Sequence, residues 1–339
     1  MRADDPFAAV PPMPGVAKPD PILVIDSMSR SFGGLKAVDV AHLEIQRCSI
    51  TGLIGPNGAG KTTLFNLLTG FDRPNTGHCT FDGTSLARLR PHQVARRGVV
   101  RTFQLTKALA KLTVLDNMRL GAPNQTGERF FGALLSTWGS QERANTGKAM
   151  ELLARFRLDT KAEDLAGSLS GGQRKLLEMA RALMMDPTVM MLDEPMAGVN
   201  PALTENLLQH VKSLREDGMT VVFVEHDMDV IRDISDWVVV MAQGSVIAEG
   251  PPQALSSNKA VVDAYLGAHH DRALEFDAQG NPVGETAVLV AEIETELDAA
   301  IERGEDLSAP AVTPTVTPTM TTPPTMTTRA PRHSKEGRP

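Results

Sequence analysis

The sequence predicts an α/β fold, and three observations carry that prediction. Short apolar runs at residues 48–54, 189–192 and 220–224 read as buried strands, and each ends at turn-forming or charged residues. Helical periodicities lie between them: Leu64, Phe65, Leu67 and Leu68 after the first run, and Leu176, Leu177, Ala180, Leu183 and Met184 before the second. Between the first strand and the first helix stands Gly55-Pro56-Asn57-Gly58-Ala59-Gly60-Lys61-Thr62, which fits the pattern G-x-x-x-x-G-K-[ST].

That loop has the chemistry of an anion cradle. Glycines at 55, 58 and 60 permit a tight turn that aims backbone N–H groups inward. The N-terminus of the following helix adds its positive end. Lys61 is placed to reach terminal phosphates, and Thr62 to offer its hydroxyl to Mg²⁺. The competing reading, an ordinary glycine-rich turn, matches the full pattern only rarely by accident.

Residues 1–21, rich in Pro and Ala, read as a flexible lead. Residues 22–30 and 40–45 read as strands flanking Ser31-Phe32-Gly33-Gly34-Leu35. Phe32 is a candidate to stack on an adenine ring, with a core side chain as the alternative. Residues 79–82 read as a short strand and 91–97 as a short helix. Residues 99–104 form a strand ending in Gln104, at the edge where α/β sheets place ligands; a surface glutamine is the alternative. Between residues 106 and 167 the strand pattern gives way to a mainly helical insert, with 148–156 as one helix. The apolar run 130–135 reads as helical packing or a partner surface.

Leu169-Ser170-Gly171-Gly172-Gln173 then opens a helix that Asp186-Pro187 ends. Ser170 is a candidate N-cap. Two adjacent glycines at a helix start cost stability, so close approach of the backbone to a ligand accounts for them better. Asp193 and Glu194 follow the strand at 189–192. Two carboxylates at a strand end, in a chain with an anion loop, require a cation. Asp193 reads as the magnesium-associated acid and Glu194 as the residue that orients or deprotonates water, against the alternative of a solvated acidic turn. His226 follows the strand at 220–224 and shares that sheet edge; its competing reading is a local hydrogen-bonding histidine. A hairpin at 237–241 and 245–248 and a helix at 258–266 close the folded part.

Composition bounds the rest. The net charge of −7 is uneven: residues 271–310 carry eleven acids against Arg272 and Arg303, and residues 311–339 are basic. Residues 1–270 are therefore near neutral, which excludes a general nucleic-acid footprint. Residues 269–339, acidic and then Thr/Pro-rich, read as a largely disordered tail, and from Pro310 onward the Thr-Pro repeats cannot build a core. Within it, 285–303 has helical composition. Cys48 and Cys79 lie in strand-like segments and read as buried thiols in a reducing compartment. With no signal sequence and no apolar run near the ~18–20 residues that span a bilayer, a soluble cytoplasmic protein is predicted, any membrane role coming through a partner.

Phe32, residues 55–62, Gln104, 169–173, 192–195 and His226 occur in one order across residues 22–268, and the set resembles the ATP-binding subunit of an ABC transporter. Leu-Ser-Gly-Gly-Gln is a signature that other P-loop ATPases lack. Five stretches are similar to the ATPase of branched-chain amino-acid importers: residues 32–38, 65–71, 98–104, 194–201 and 264–267. ATPases for urea or short amides and for lipopolysaccharide export are near relatives of that subgroup. Asn200 stands where most of the wider family carries aspartate, and the subgroup shares it.

The resemblance implies a P-loop NTPase fold with a mixed-sheet core, an N-terminal antiparallel β subdomain and a helical subdomain at about 105–168, the whole ATP-binding domain spanning 22–268. It implies that Phe32 stacks on adenine and that Asn57, Gly58, Ala59, Gly60, Lys61, Thr62 and Thr63 wrap the phosphates of ATP. Thr62, Gln104 and Asp193 surround Mg²⁺, in part through water; Glu194 is the general base and His226 contacts the γ-phosphate. Ser170, Gly171 and Gly172, with Gln173, act in trans on nucleotide held by a second subunit. The implied partners are that second ABC ATPase, identical or not, two membrane permease subunits and, indirectly, an extracytoplasmic solute-binding protein, at the cytoplasmic face of a bacterial membrane. ABC ATPases of DNA repair place a long coiled coil between the halves. Here about 65 residues without sustained heptads separate Gln104 from Leu169, which argues against that class. Translation-associated relatives carry two cassettes, and this chain has one Gly-Lys-Thr loop.

Overall fold

The computed structural model describes residues 5–102, 109–123, 138–255 and 258–266. Two sheets organise them. Strand β1 (Pro21–Phe32) turns through Gly33 and Gly34 into β2 (Leu35–Gln46), and β4 (Thr76–Phe81) pairs with the other edge of β1. With the short β5 (Thr84–Ser85) they form an antiparallel sheet of order β2-β1-β4-β5. Strands β1 and β2 outrun the apolar alternation that predicts them, because ladder pairing continues through polar residues to Phe32 opposite Leu35.

The second sheet has the order β10-β9-β3-β8-β7-β6. Its members are β3 (Ile50–Ile54), β6 (Val99–Arg101), β7 (Val189–Asp193), β8 (Thr220–Val224), β9 (Trp237–Ala242) and β10 (Ser245–Gly250). All pairings are parallel except β10 on β9, so the sheet is mixed, as expected. Every residue of β3, β7 and β8 is buried, which is why these strands read as continuous runs rather than alternating ones.

Nine helices follow from the described residues: α1 (Lys61–Leu68), α2 (Pro91–Arg96), α3 (Val114–Arg119), α4 (Trp138–Arg155), α5 (Gly171–Leu183), α6 (Pro201–Glu216), α7 (Met228–Ile234), α8 (Pro252–Leu255) and α9 (Lys259–Leu266). One face of the mixed sheet packs Leu53, Met191, Val222 and Val239 against Leu64 and Phe65 of α1 and against Ile25 and Val40 of the antiparallel sheet. The other face packs Ile50, Met190, Val221 and Phe223 under Leu177 of α5, Val211 of α6 and Ile231 of α7. Each fully buried aliphatic or aromatic side chain contributes about 1.5–3 kcal/mol, so the two layers fix the strand ends that carry the site. The described part of 105–168 is helical: α3, α4 and two single turns of 3-10 helix. No helix among the described residues is long and apolar enough to cross a membrane.

Two expectations are corrected. Residues 5–20, read as a flexible lead, are pinned down. Phe7 stacks on Trp237 with ring centroids 4.7 Å apart, and Lys18 forms a buried ion pair with Glu249 at 2.8 Å. Glu249 also accepts from Trp237 Nε1 and from the backbone N–H groups of Gly15 and Val16. Cys48, read as a buried strand residue, is exposed in a turn with φ +52°; Cys79 is buried in β4, and both thiols are free. Gln104, the apolar run at 130–135 and the tail at 269–339 lie outside the described residues.

Candidate functional site

The loop between β3 and α1 has no room for side chains at two of its glycines. Gly55 has φ +146°, and a Cβ there would collide with the Met241 carbonyl; Gly60 has φ +101° and lies against the Ala37 carbonyl. Both values sit where L-residues are strained, so the loop's path demands glycine. Gly60 is the N-cap of α1, leaving the first-turn N–H groups of that helix without a side-chain cap. Lys61 is buried inside the curl of the loop, its Nζ donating to the carbonyls of Gly55 (2.5 Å) and Pro56 (3.1 Å). Burial pushes its ammonium below the ordinary lysine range, and the carboxylates of Glu194 and Asp193 pull it part of the way back. Asn57, Gly58 and Thr62 are exposed, and Ala59 is buried against the core.

A cleft of about 590 Å³ opens over this loop. Its walls include residues 57–63, Leu35 to Ala37 of β2, Glu194, His226 and Gln243. The expected phosphate loop, base and histidine therefore face one space, although 165 residues separate Lys61 from His226 in sequence. His226 Nε2 lies 3.1 Å from Oε1 of Glu194. Glu194 has φ +48°, an uncommon left-handed conformation for a non-glycine residue, and its N–H donates to the Val224 carbonyl at 3.0 Å.

Asp193 is the last residue of β7 and is buried. Its Oδ2 accepts from Arg101 Nη2 at 2.5 Å, with both side chains 6% exposed. Arg101 also donates through Nη1 to Asn66 of α1 at 2.6 Å and lies over the Phe65 ring. One guanidinium thus ties β6, α1 and the carboxylate of β7 together. Among the described residues no group of three or more His, Cys, Asp or Glu side chains could hold a metal ion. The donor set of Thr62 hydroxyl and Asp193 carboxylate suits a magnesium that arrives with phosphate oxygens and keeps part of its water, not one held in an all-protein cage.

Phe32 is 48% exposed, which rejects the core reading; the Arg30 guanidinium sits 4.5 Å from its ring centre. Phe32 is not among the residues lining the cleft, whereas its hairpin neighbour Leu35, 72% exposed, is. Ser170 and Gln173 lie away from the cleft and complete a capping box. Ser170 Oγ accepts from the Gln173 N–H, and Gln173 Oε1 accepts from the Ser170 N–H. The two glycines between them differ. A Cβ on Gly172 would overlap Leu203 of α6, so packing inside the chain explains that residue; a Cβ on Gly171 would meet nothing within 4 Å. Asn200, the N-cap of α6, accepts from the Leu203 N–H at 2.9 Å, a task aspartate performs equally well.

Three residues of the site escaped the sequence reading: Arg101, Lys175 and Glu225. Lys175 of α5 donates to the Glu194 carbonyl at 3.0 Å, and Glu225 accepts from the Met196 N–H at 2.8 Å. Burial pushes Glu225 up to about 7, against the pull of the Met196 and His226 N–H groups. The available signal was positional: Arg101 and Glu225 both stand at the ends of buried strands, where an ionised side chain needs a partner.

The pattern of the ABC transporter family matches residues 38–197, and that of the branched-chain amino acid ATP-binding cassette transporters matches residues 245–271. The probable branched-chain amino acid transport ATP-binding protein LivG of Archaeoglobus fulgidus is 42% identical over 247 residues, covering 73% of this chain and 96% of the relative. The high-affinity branched-chain amino acid transport ATP-binding protein BraF of Pseudomonas aeruginosa is 40% identical over 250 residues, covering 73% and 98%. A crystal structure of an ATP-binding cassette of an ABC transporter in its ADP conformation is 34% identical, with a TM-score of 0.64 over 73% of this chain and 99% of that one. A dimeric structure of a bacterial ABC transporter cassette has a TM-score of 0.57 at 26% identity over 68% of this chain. With a glycine-bound phosphate loop, a Glu–His pair across one cleft and relatives matched along nearly their full length, the chain belongs to the ATP-binding, ATP-hydrolysing proteins of ABC transporters, within the branched-chain amino-acid group.

Proposed function

We propose that this chain drives an importer of branched-chain amino acids by binding and hydrolysing ATP at the cytoplasmic face of the membrane, paired with a second cassette beneath two permease subunits. A solute-binding protein outside the membrane delivers the amino acid to those permeases. The branched-chain amino acid transport function of the LivG and BraF relatives supports the solute class. The observation that carries the chemistry is the single cleft onto which residues 57–63, Glu194 and His226 all open.

In this reading the backbone N–H groups of residues 57–63 and the Lys61 ammonium hold the β- and γ-phosphates, so Lys61 exchanges its two carbonyl partners for phosphate oxygens. Magnesium, held through Thr62, Asp193 and Gln104, supplies neutralisation of phosphate charge when bound. Glu194 orients a water against the γ-phosphorus and takes its proton as the bond to the bridging oxygen breaks. His226, hydrogen-bonded to Glu194, fixes the direction of that carboxylate and reaches the γ-phosphate. Phe32 stacks on adenine from the rim. The N-terminus of α5, open at Gly171, closes on the nucleotide of the second cassette.

Replacing Glu194 by Gln preserves shape and removes the proton acceptor. Glu194→Gln should lower kcat at least a hundredfold while ATP is retained and chains stay paired, measured by turnover and by size-exclusion chromatography with ATP. Turnover within threefold of the unsubstituted chain would reject Glu194 as the base.

A further inference from the structure

Glu194 adopts a backbone conformation that a glutamate does not choose by itself. That conformation turns its side chain to His226. What holds it is a set of hydrogen bonds around the following turn. The Glu194 N–H is taken by the Val224 carbonyl at 3.0 Å, and the Glu194 carbonyl accepts from Lys175 Nζ at 3.0 Å. Two residues on, the Met196 N–H is taken by the Glu225 carboxyl at 2.8 Å. Glu225 is buried at the end of β8, next to His226, and Lys175 is half-buried on α5.

Lys175 and Glu225 are titratable side chains in the interior that the proposed chemistry does not use, and each spends a hydrogen bond on the backbone of residues 194–196. We propose that Lys175 and Glu225 are positioning residues for Glu194: together they clamp the turn that aims its carboxylate, and Lys175 links that turn to the helix that begins at Ser170. The clamp rests on Glu194 being the base. It acts from both sides of the turn, Lys175 from α5 and Glu225 from β8, so a shift of α5 along its axis is felt directly at the Glu194 carbonyl. Nothing in the clamp touches the phosphate loop, and loss of it should leave nucleotide binding alone.

The test uses the full-length chain and reads kcat and KM for ATP separately. Glu225→Met keeps the side-chain length without an acceptor, Glu225→Gln keeps the acceptor, and Lys175→Met removes the donor to the Glu194 carbonyl. Glu225→Met and Lys175→Met should each lower kcat tenfold or more with KM within twofold, and Glu225→Gln should recover kcat to within threefold of the unsubstituted chain. The double Met variant should be no worse than the poorer single one, because both substitutions release the same turn. The clamp is overturned by kcat within twofold of normal in Lys175→Met, by KM rising in proportion to the loss, or by Glu225→Gln failing as badly as Glu225→Met. If Glu225→Met does not fold, Lys175→Met and Glu225→Gln decide alone. Glu194→Gln runs alongside: normal turnover there removes the base itself, whereas an inactive Glu194→Gln with a normal Lys175→Met removes only the clamp.

Discussion

Glu225 carries a second consequence, in stability. Its carboxyl is held near 7 by burial, against an ordinary value of 4.5. Between those two values the folded chain keeps a proton that the unfolded chain has released, so unfolding is favoured as pH rises through the window. The effect is absent below about pH 4.5, complete above about pH 7, and of order 3 kcal/mol at full extent. Glutamine has no proton to lose. Denaturant midpoints of the unsubstituted chain and of Glu225→Gln should lie close together at pH 5 and diverge by pH 8, with the variant the more stable. An equal gap at both pH values would contradict the buried-acid account. Asp193 is just as buried, and the Arg101 guanidinium lies 2.5 Å from its carboxylate. Neither Glu225 nor Arg101 announces itself in a one-dimensional reading, because the partner that makes each tolerable lies 29 or 92 positions away.

Among elements, the N-terminal segment departs furthest from its sequence. Proline and alanine give residues 5–20 no periodicity, and their partners are distant: Glu44 and Gln46 of β2, and Trp237 and Glu249 of β9 and β10, more than 200 positions downstream. Glu249 is wholly buried and holds four donors at once: Lys18 Nζ, Trp237 Nε1 and the N–H groups of Gly15 and Val16. Removing such an acceptor strands a buried ammonium and three N–H groups. Glu249→Ala should therefore cost about 3–5 kcal/mol, read as a fall in Tm, and should expose Trp237 to solvent quenching as residues 5–20 detach. A Tm shift under 2 °C would mean the segment contributes nothing to the fold. By contrast β3, α1, β7 and β8 were legible because their information is local. A mostly apolar run of four to seven residues, a glycine set that only one backbone path uses, and a helical face each carry their own signal within a dozen positions. The double glycine at 171 and 172 was half legible: the demand for glycine was visible, but that Leu203 imposes it at 172 required the fold.

At the scale of the whole molecule, the described chain contains one phosphate loop and one α5 N-terminus, and they do not serve the same cleft. Ser170 and Gln173 satisfy each other in a capping box, leaving Gly171 facing open space. An open helix N-terminus stabilises an anion only if one is brought to it, and the cleft lined by residues 57–63 of the same chain lies elsewhere. The order of the motifs in the sequence could name both half-sites but could not say that they stay apart, since separation is a property of the packed sheet and of α5 lying on its far face. If two chains complete each other, each nucleotide uses Lys61 from one and Ser170 from its partner. Lys61→Ala and Ser170→Arg chains should each be inactive alone. Mixed in equal amounts they form pairs in which one site keeps an intact Lys61 and an intact Ser170, so turnover should return to roughly a quarter of the unsubstituted rate, half the chains being mixed pairs with one working site each. Equal inactivity of the mixture, under conditions where the unsubstituted chain turns over ATP by itself, would place the whole reaction within one chain and leave Gly171 without a ligand to face.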